Sequence, residues 1–171
     1  MDLNLSGKRA LVCGSTQGMG RSVAQELARC GAKVTLFARD APRLEEVLAD
    51  LEGDGHDCLT ADFNNLTQVQ KLVEEGLSKG PYQILINNTG GPAPGPLASA
   101  SIDQFSEAIT RHLHVSHSLV QALLPGMKAS NYGRIVNIIS TSVKIPIPNL
   151  GVSNTVRGAM ASWAKTLARR P

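Results

Sequence analysis

The sequence carries little excess charge. Its 17 lysines and arginines outnumber 14 aspartates and glutamates by only three, and they are spread along the chain with no basic run. That excludes nucleic acid as the expected partner and leaves anionic small molecules compatible. Cysteine is equally sparse: Cys13, Cys30 and Cys58 are odd in number and form no CxxC pair, so free thiols in a reducing compartment are expected and no disulfide framework. No apolar run reaches the length of a membrane span, and Met1-Asp2-Leu3-Asn4-Leu5-Ser6 lacks a basic leader followed by an apolar core, so the expectation is a cytoplasmic protein without membrane association. No internal repeat or linker breaks the chain, and 42% hydrophobic content over 171 residues supports one domain, residues 1–171.

What is present is an alternation. Apolar runs at Ala10 to Cys13, Val34 to Ala38, Cys58 to Ala61, Gln83 to Asn87 and Ile135 to Ile139 read as buried strands. Helical patterns fall between them: to about Cys30, from about Pro42 to Leu51, through Val69, Leu72 and Val73, a long one through Phe105, Ile109, Leu113 and Leu124, and a last one from about Val152 to Arg169. Ser101 with Gln104 forms a capping-box pattern at the start of the long helix, and Gly31 and Gly53 are expected helix stops. Strands alternating with helices of this length give right-handed crossovers, hence an α/β fold with a doubly wound parallel sheet. Ligands in such sheets bind beyond the carboxyl ends of the strands, where the strand order reverses. Here those ends carry Gly14, Arg39 and Asp40, Asp62, Asn87 and Asn88, and Ser140.

The first strand runs into Gly14-Ser15-Thr16-Gln17-Gly18-Met19-Gly20, which opens a helix. Unpaired N–H groups and a positive dipole end face any ligand there, and glycine lets a pyrophosphate approach the backbone. A dinucleotide site is therefore expected. An acid at the end of the second strand would suit the free ribose hydroxyls of NAD, but Phe37-Ala38-Arg39 has none. Arg39, with Arg43 a turn further on, suits a 2′-phosphate, so NADP(H) is the expected preference, by roughly ten- to a hundredfold, with NAD(H) still possible.

These residues resemble the short-chain dehydrogenase/reductase family, NAD(P)-dependent oxidoreductases on a Rossmann fold. Cys13-Gly14-Ser15-Thr16-Gln17-Gly18-Met19-Gly20 resembles its TGxxxGxG motif, Asn87-Asn88-Thr89-Gly90 its NNAG motif, and Gly133-Arg134-Ile135-Val136-Asn137-Ile138 the strand leading to its catalytic serine, which falls on Ser140. The resemblance implies cofactor contacts from Gly14 to Gly20, at Arg39, at Asp62 against the adenine with Phe63 beside it, at Asn87 along the ribose, and at Thr89 and Gly90.

The catalytic set departs from the family. By the family's spacing the tyrosine falls on Ser153, the lysine on Arg157 and the helix asparagine on His112; only the serine, Ser140, is kept. A serine oxygen stops roughly 4 Å short of the phenol position, leaving room for a water. Arginine keeps charge and donors but does not exchange protons at neutral pH. The expectation is that Ser140 and Ser153 bind a carbonyl, Arg157 anchors the ribose, and His112 or Lys144 feeds a proton through water. His112-Leu113-His114-Val115-Ser116-His117 is not read as a metal site, because His112 and His114 point to nearly opposite faces of a helix.

The resemblance implies further segments after the last helix, a sixth strand, a lid over the substrate and a seventh strand, which residues 1–171 lack. It also implies a homodimer or homotetramer through the fifth and sixth helices, whose last member carries Val156, Met160, Trp163 and Leu167 on one stripe. Two functions follow: an NADP(H)-linked oxidoreductase for a carbonyl/alcohol pair with an altered catalytic set, or a sensor that binds NADP(H) without turnover.

Overall fold

A computed structural model describes residues 3–168. Five parallel strands, β1 (Arg9–Cys13), β2 (Lys33–Ala38), β3 (Asp57–Thr60), β4 (Ile84–Asn87) and β5 (Arg134–Asn137), form one sheet in the order β3-β2-β1-β4-β5. Helices α1 (Gly18–Arg29), α2 (Ala41–Ala49), α3 (Leu66–Leu77), α4 (Ile102–Ile109), α5 (Val115–Ala129) and α6 (Gly151–Ala168) cover its faces. The chain steps outward from β1 to β3, then crosses to β4 on the other side of β1. That reversal opens a crevice at the carboxyl ends of β1 and β4, as the sequence leads one to expect for a doubly wound sheet.

Alternate residues of each strand serve opposite faces. Leu11 and Cys13 join Phe37, Leu59 and Leu85 under α3 and α5, while Ala10 and Val12 join Val34, Leu36 and Ile86 under α1 and α2. Both faces are covered, which is why β1, β2 and β4 are near-continuous apolar runs. The strands are aligned so that their ends come level: Cys13 pairs with Phe37 and Asn87 with Asn137.

The boundaries differ from the sequence reading in explicable ways. β5 stops at Asn137, two residues before Ile139, because its neighbour β4 ends at Asn87; the last rung is Ile138 N–H to Asn87 O at 2.9 Å. Gln83 joins the ladder on both sides, to Arg9 O and from Arg134 N, although β4 proper begins at Ile84. β3 is one residue earlier than expected at each end. Gly31 follows the α1 cap at φ +89°, as expected of a helix stop, whereas α2 ends at Ala49 and Gly53, φ +95°, belongs to the loop beyond. The capping box of Ser101 and Gln104 is formed in both directions, at 3.2 and 2.9 Å. The long helix is not continuous: Thr110–His114 is a π-helical turn between α4 and α5. The last helix is described to Ala168, so Arg169 lies outside the described residues.

Candidate functional site

The glycine turn between β1 and α1 is held from two sides. Gly14 donates its N–H to Phe37 O at 2.7 Å, and Ser15 Oγ accepts the Phe37 N–H at 3.0 Å, which stitches the turn to β2. From β4, the Asn88 amide donates to Cys13 O and Gly14 O at 3.3 and 3.1 Å. Gly14 has φ +59°, and a β-carbon there would lie 2.7 Å from Asn88 Nδ2. A β-carbon on Gly20 would overlap the Gly14 carbonyl. Gly18, at φ +53°, opens instead onto free space. Gln17 caps α1 without a side-chain hydrogen bond, so the first N–H groups of a 12-residue helix are left for a ligand. A bare turn with close backbone packing and an uncapped helix end fits a pyrophosphate.

The turn forms one wall of a groove of about 760 Å³. Thr16 and Gln17, Arg39 and Arg43, Asp62 and Phe63, and Thr89 with Gly90 line it, so the ends of β1, β2, β3 and β4 all contribute. Asp40, the first acid after β2, is already engaged. Its carboxylate accepts the Arg43 N–H at 3.2 Å as the α2 cap and pairs with Arg43 Nε at 3.5 Å. Arg43 reaches across to Gln17 Oε1 at 3.3 Å. Asp62 Oδ1 accepts Asn64 N–H at 2.9 Å and holds its own turn, and Phe63 packs edge-on against Phe37 with ring centres 5.0 Å apart.

A narrow pocket continues inward between Asn87, Thr89, His112, Ser116 and Arg157. Arg157 is buried, and its Nη1 donates to Ile138 O at 2.8 Å. No ion pair among the described residues involves it. Burial lowers its pKa. His112 is 3% exposed, and burial, reinforced by the Arg157 and Arg111 cations, holds its imidazole down at about 3. Near neutrality the ring is therefore uncharged. Two buried polar atoms have no partner among the described residues here, His112 Nε2 and Asn87 Oδ1, while the Asn87 amide nitrogen donates to Asn137 Oδ1 at 2.8 Å.

Other expected site residues lie around this centre with different duties. Ser15 is fully buried and spends its hydroxyl on β2; Met19 is 62% exposed on the outside of α1. Ser140 Oγ accepts Ser142 N–H at 3.1 Å, which leaves its own O–H to donate. Ser153 is half-buried in the first turn of α6 and does not line the His112 cavity, nor does the exposed Lys144. His114 is exposed, and His117 Nδ1 accepts the Trp163 indole N–H at 3.4 Å. Both tyrosines sit at the opposite end of the sheet, Tyr82 under Arg9 and Tyr132 between Lys8 and Arg134.

Asn88, expected at the crevice from its motif, holds the glycine turn. One residue escaped the sequence reading. Arg111 lines both the groove and the inner cavity and donates to Gly90 O at 3.2 Å, yet nothing in its helical surroundings marks it in sequence.

Residues 8–170 match the family model for short chain dehydrogenases. A tropinone reductase homolog of Arabidopsis thaliana is 32% identical over 169 residues, which are 96% of this chain and 63% of that protein. Gluconate 5-dehydrogenase of Gluconobacter oxydans (strain 621H) is 32% identical over 170 residues, 96% of this chain and 66% of that one. The chain therefore spans less than two thirds of the length of these relatives. Among solved structures, L-sorbose reductase of Gluconobacter frateurii, complexed with NADPH and L-sorbose, superposes with a TM-score of 0.91 at 31% identity, covering 98% of this chain and 65% of that one. A gluconate 5-dehydrogenase assignment from Beutenbergia cavernae, with bound NADP, gives 0.89 at 28% identity, covering 98% and 68%. The chain thus belongs to the short-chain dehydrogenase/reductase family.

Proposed function

We propose that this chain is the nucleotide-binding and catalytic part of an NADP(H)-dependent oxidoreductase acting on a carbonyl/alcohol pair. The observation that carries the reading is the end of β2, where Asp40 is consumed as a helix cap and Arg39 makes no ion pair among the described residues. An uncompensated guanidinium beside Ala38 suits a 2′-phosphate. Gly14, Thr16, Gln17, Gly18 and Gly20 hold the pyrophosphate, Asp62 and Phe63 flank the adenine, and Asn87, Thr89 and Gly90 follow the chain of the cofactor towards Arg157. The bound-NADPH and bound-NADP states of the two structural relatives support the same cofactor, and the sugar and sugar-acid substrates in the relatives' names support a polyhydroxylated carbonyl compound.

When bound, the nicotinamide supplies or accepts the hydride. The protein's residues handle the hydroxyl groups and the proton. Arg157 donates to ribose or substrate oxygens while its buried charge favours developing negative charge on them. Ser140 donates its free O–H to the carbonyl oxygen. Neutral His112 presents Nε2 as an acceptor next to the Arg157 donors, with Asn87 Oδ1 as a second acceptor. Water held among these groups, accepting from Arg157, passes one proton to the substrate oxygen and is reprotonated from bulk solvent. His112 thus orients the proton path and is not its charged source. Ser153, whose oxygen by bond lengths stops roughly 4 Å short of a phenol's, serves through a second water.

A second reading, NADP(H) binding without turnover, is favoured by one observation, that Ser153 does not line the cavity holding His112 and Arg157. Titrating NADPH and NADH by fluorescence, then following NADPH oxidation across a panel of ketoses and other carbonyl compounds, separates the two. Turnover supports the enzyme; tight NADPH binding with no turnover supports the sensor; binding of neither nucleotide overturns both.

Of the α6 stripe, Val156 and Met160 are buried within the chain and only Leu167, 39% exposed, faces outward, so a homodimer or homotetramer through α5 and α6 is supported by the family resemblance and that exposed end. Sedimentation of the purified chain tests this, and a monomer at tens of micromolar contradicts it.

A further inference from the structure

Arg111 occupies the junction of three spaces: the nucleotide groove, the inner His112 cavity, and a cleft of about 650 Å³ between the Gly/Pro-rich loop and α4, where Pro92, Glu107 and Val152 also contribute. It is placed there by the π-helical turn Thr110–His114, in which Arg111 and the buried His112 are consecutive. Its guanidinium is fixed in two directions. Nη1 pairs with Glu107 Oε1 at 3.0 Å, one helical turn back, and Nη2 donates to Gly90 O at 3.2 Å. Glu107 is itself steadied by Asn64 Nδ2 at 3.4 Å, from the turn that Asp62 closes at the adenine end of the groove. A guanidinium has five N–H donors, and two carry these contacts. The remaining edge faces spaces that the nucleotide and the proton path would occupy.

We infer that Arg111 is a cofactor-binding residue that donates to the portion common to NADPH and NADH, the pyrophosphate with its adjoining ribose, while holding the Gly90 carbonyl in place between the groove and the His112 cavity. The inference rests on the nucleotide reading above and goes beyond it, since neither the glycine turn nor Arg39 requires a third cation on the far wall. The geometry distinguishes the roles. Arg39 sits at the β2 end, where only the 2′-phosphate differs between the two nucleotides. Arg111 sits at Thr89 and Gly90, beside the part they share. Its charge also bears on His112, whose charged neighbours are Arg111 and Arg157, with Glu107 paired to Arg111 and the Gly90 backbone acting against them.

The test is NADPH and NADH titration by fluorescence on the unaltered chain, Arg111→Met, Arg111→Lys and Arg39→Ala, with the His112 imidazole followed by NMR as pH is lowered. Arg111→Met is expected to weaken both nucleotides by about tenfold and by the same factor, the loss of one charge-assisted hydrogen bond, with Arg111→Lys recovering part of it. Arg39→Ala is expected to weaken NADPH alone. His112 should titrate at higher pH in Arg111→Met than in the unaltered chain, because the Arg111 cation is one of the causes that hold it down, while the equal loss for both nucleotides is what marks a binding role. Unchanged affinities in Arg111→Met, or a loss confined to NADPH, overturn the inference while leaving the nucleotide reading standing. Failure of the unaltered chain to bind either nucleotide overturns that reading and this inference with it.

Discussion

The two halves of the crevice are built on different principles. Around the glycine turn, contacts are made by backbone and by short side chains locked to neighbouring strands: Gly14 to Phe37, Ser15 to Phe37, Asn88 to Cys13 and Gly14. Beyond β4 and β5, the work falls to side chains, where Arg157 pairs with no carboxylate among the described residues and His112 Nε2 and Asn87 Oδ1 have no hydrogen-bond partner among them. The first half constrains residue type by space, so it changes little without collapse. The second constrains chemistry by charge and hydrogen bonding, and there serine, arginine and histidine stand in positions where the family resemblance implies tyrosine, lysine and asparagine.

The largest expected effect tests that separation directly. Ser153→Tyr with Arg157→Lys returns a phenol and an ammonium group to α6, and carbonyl reduction is expected to rise by about 10²- to 10⁴-fold, measured as NADPH oxidation. No gain would mean that the second half is limited by something other than these two side chains. In the first half, Gly20→Val drives a side chain into the Gly14 carbonyl, and NADPH affinity should fall by more than about a hundredfold. Circular dichroism establishes whether the variant is folded, and a folded variant with intact affinity would show that the turn does not hold the phosphates.

Arg39→Ala should come next, with NADPH weakened by roughly ten- to a hundredfold and NADH unchanged, the equivalent of about 1.5–3 kcal/mol for a bond to a charged group. An equal loss for both nucleotides would move Arg39 away from the 2′-phosphate.

A smaller effect concerns pH. His112 has an ordinary value of 6.5 and is held at about 3 in the folded protein, so the unfolded chain binds a proton that the folded chain does not between these values. Its contribution to stability is complete above pH 6.5 and is lost as pH falls towards 3, with a limiting slope of about 1.4 kcal/mol per pH unit. Denaturant midpoints for His112→Asn should therefore depend less on pH across that window than those of the unaltered chain; equal dependence would mean that the imidazole is not buried uncharged. The mildest change is Asn88→Ala, which leaves the Cys13 and Gly14 carbonyls without their donor and should cost about 1–2 kcal/mol in denaturant unfolding.

The same division explains what could be read from the sequence. Apolar runs such as Ala10 to Cys13 are visible because both sheet faces bury them, and the glycines because no side chain fits where Gly14 meets Asn88. Ser101 and Gln104 announced the start of α4 because a cap is a local contact. The π-helical turn at Thr110–His114 left no local signal, and with it went the placement of Arg111. The charge state of His112 was also illegible, since it depends on burial against Arg157, which lies 45 positions further along the chain, and on the arginine at its side.

The most direct measurement of the account is the pair of dissociation constants for NADPH and NADH on the unaltered chain. The account predicts saturable binding of both, with NADPH tighter by about tenfold or more. Equal affinities, tighter NADH, or no binding of either would contradict it.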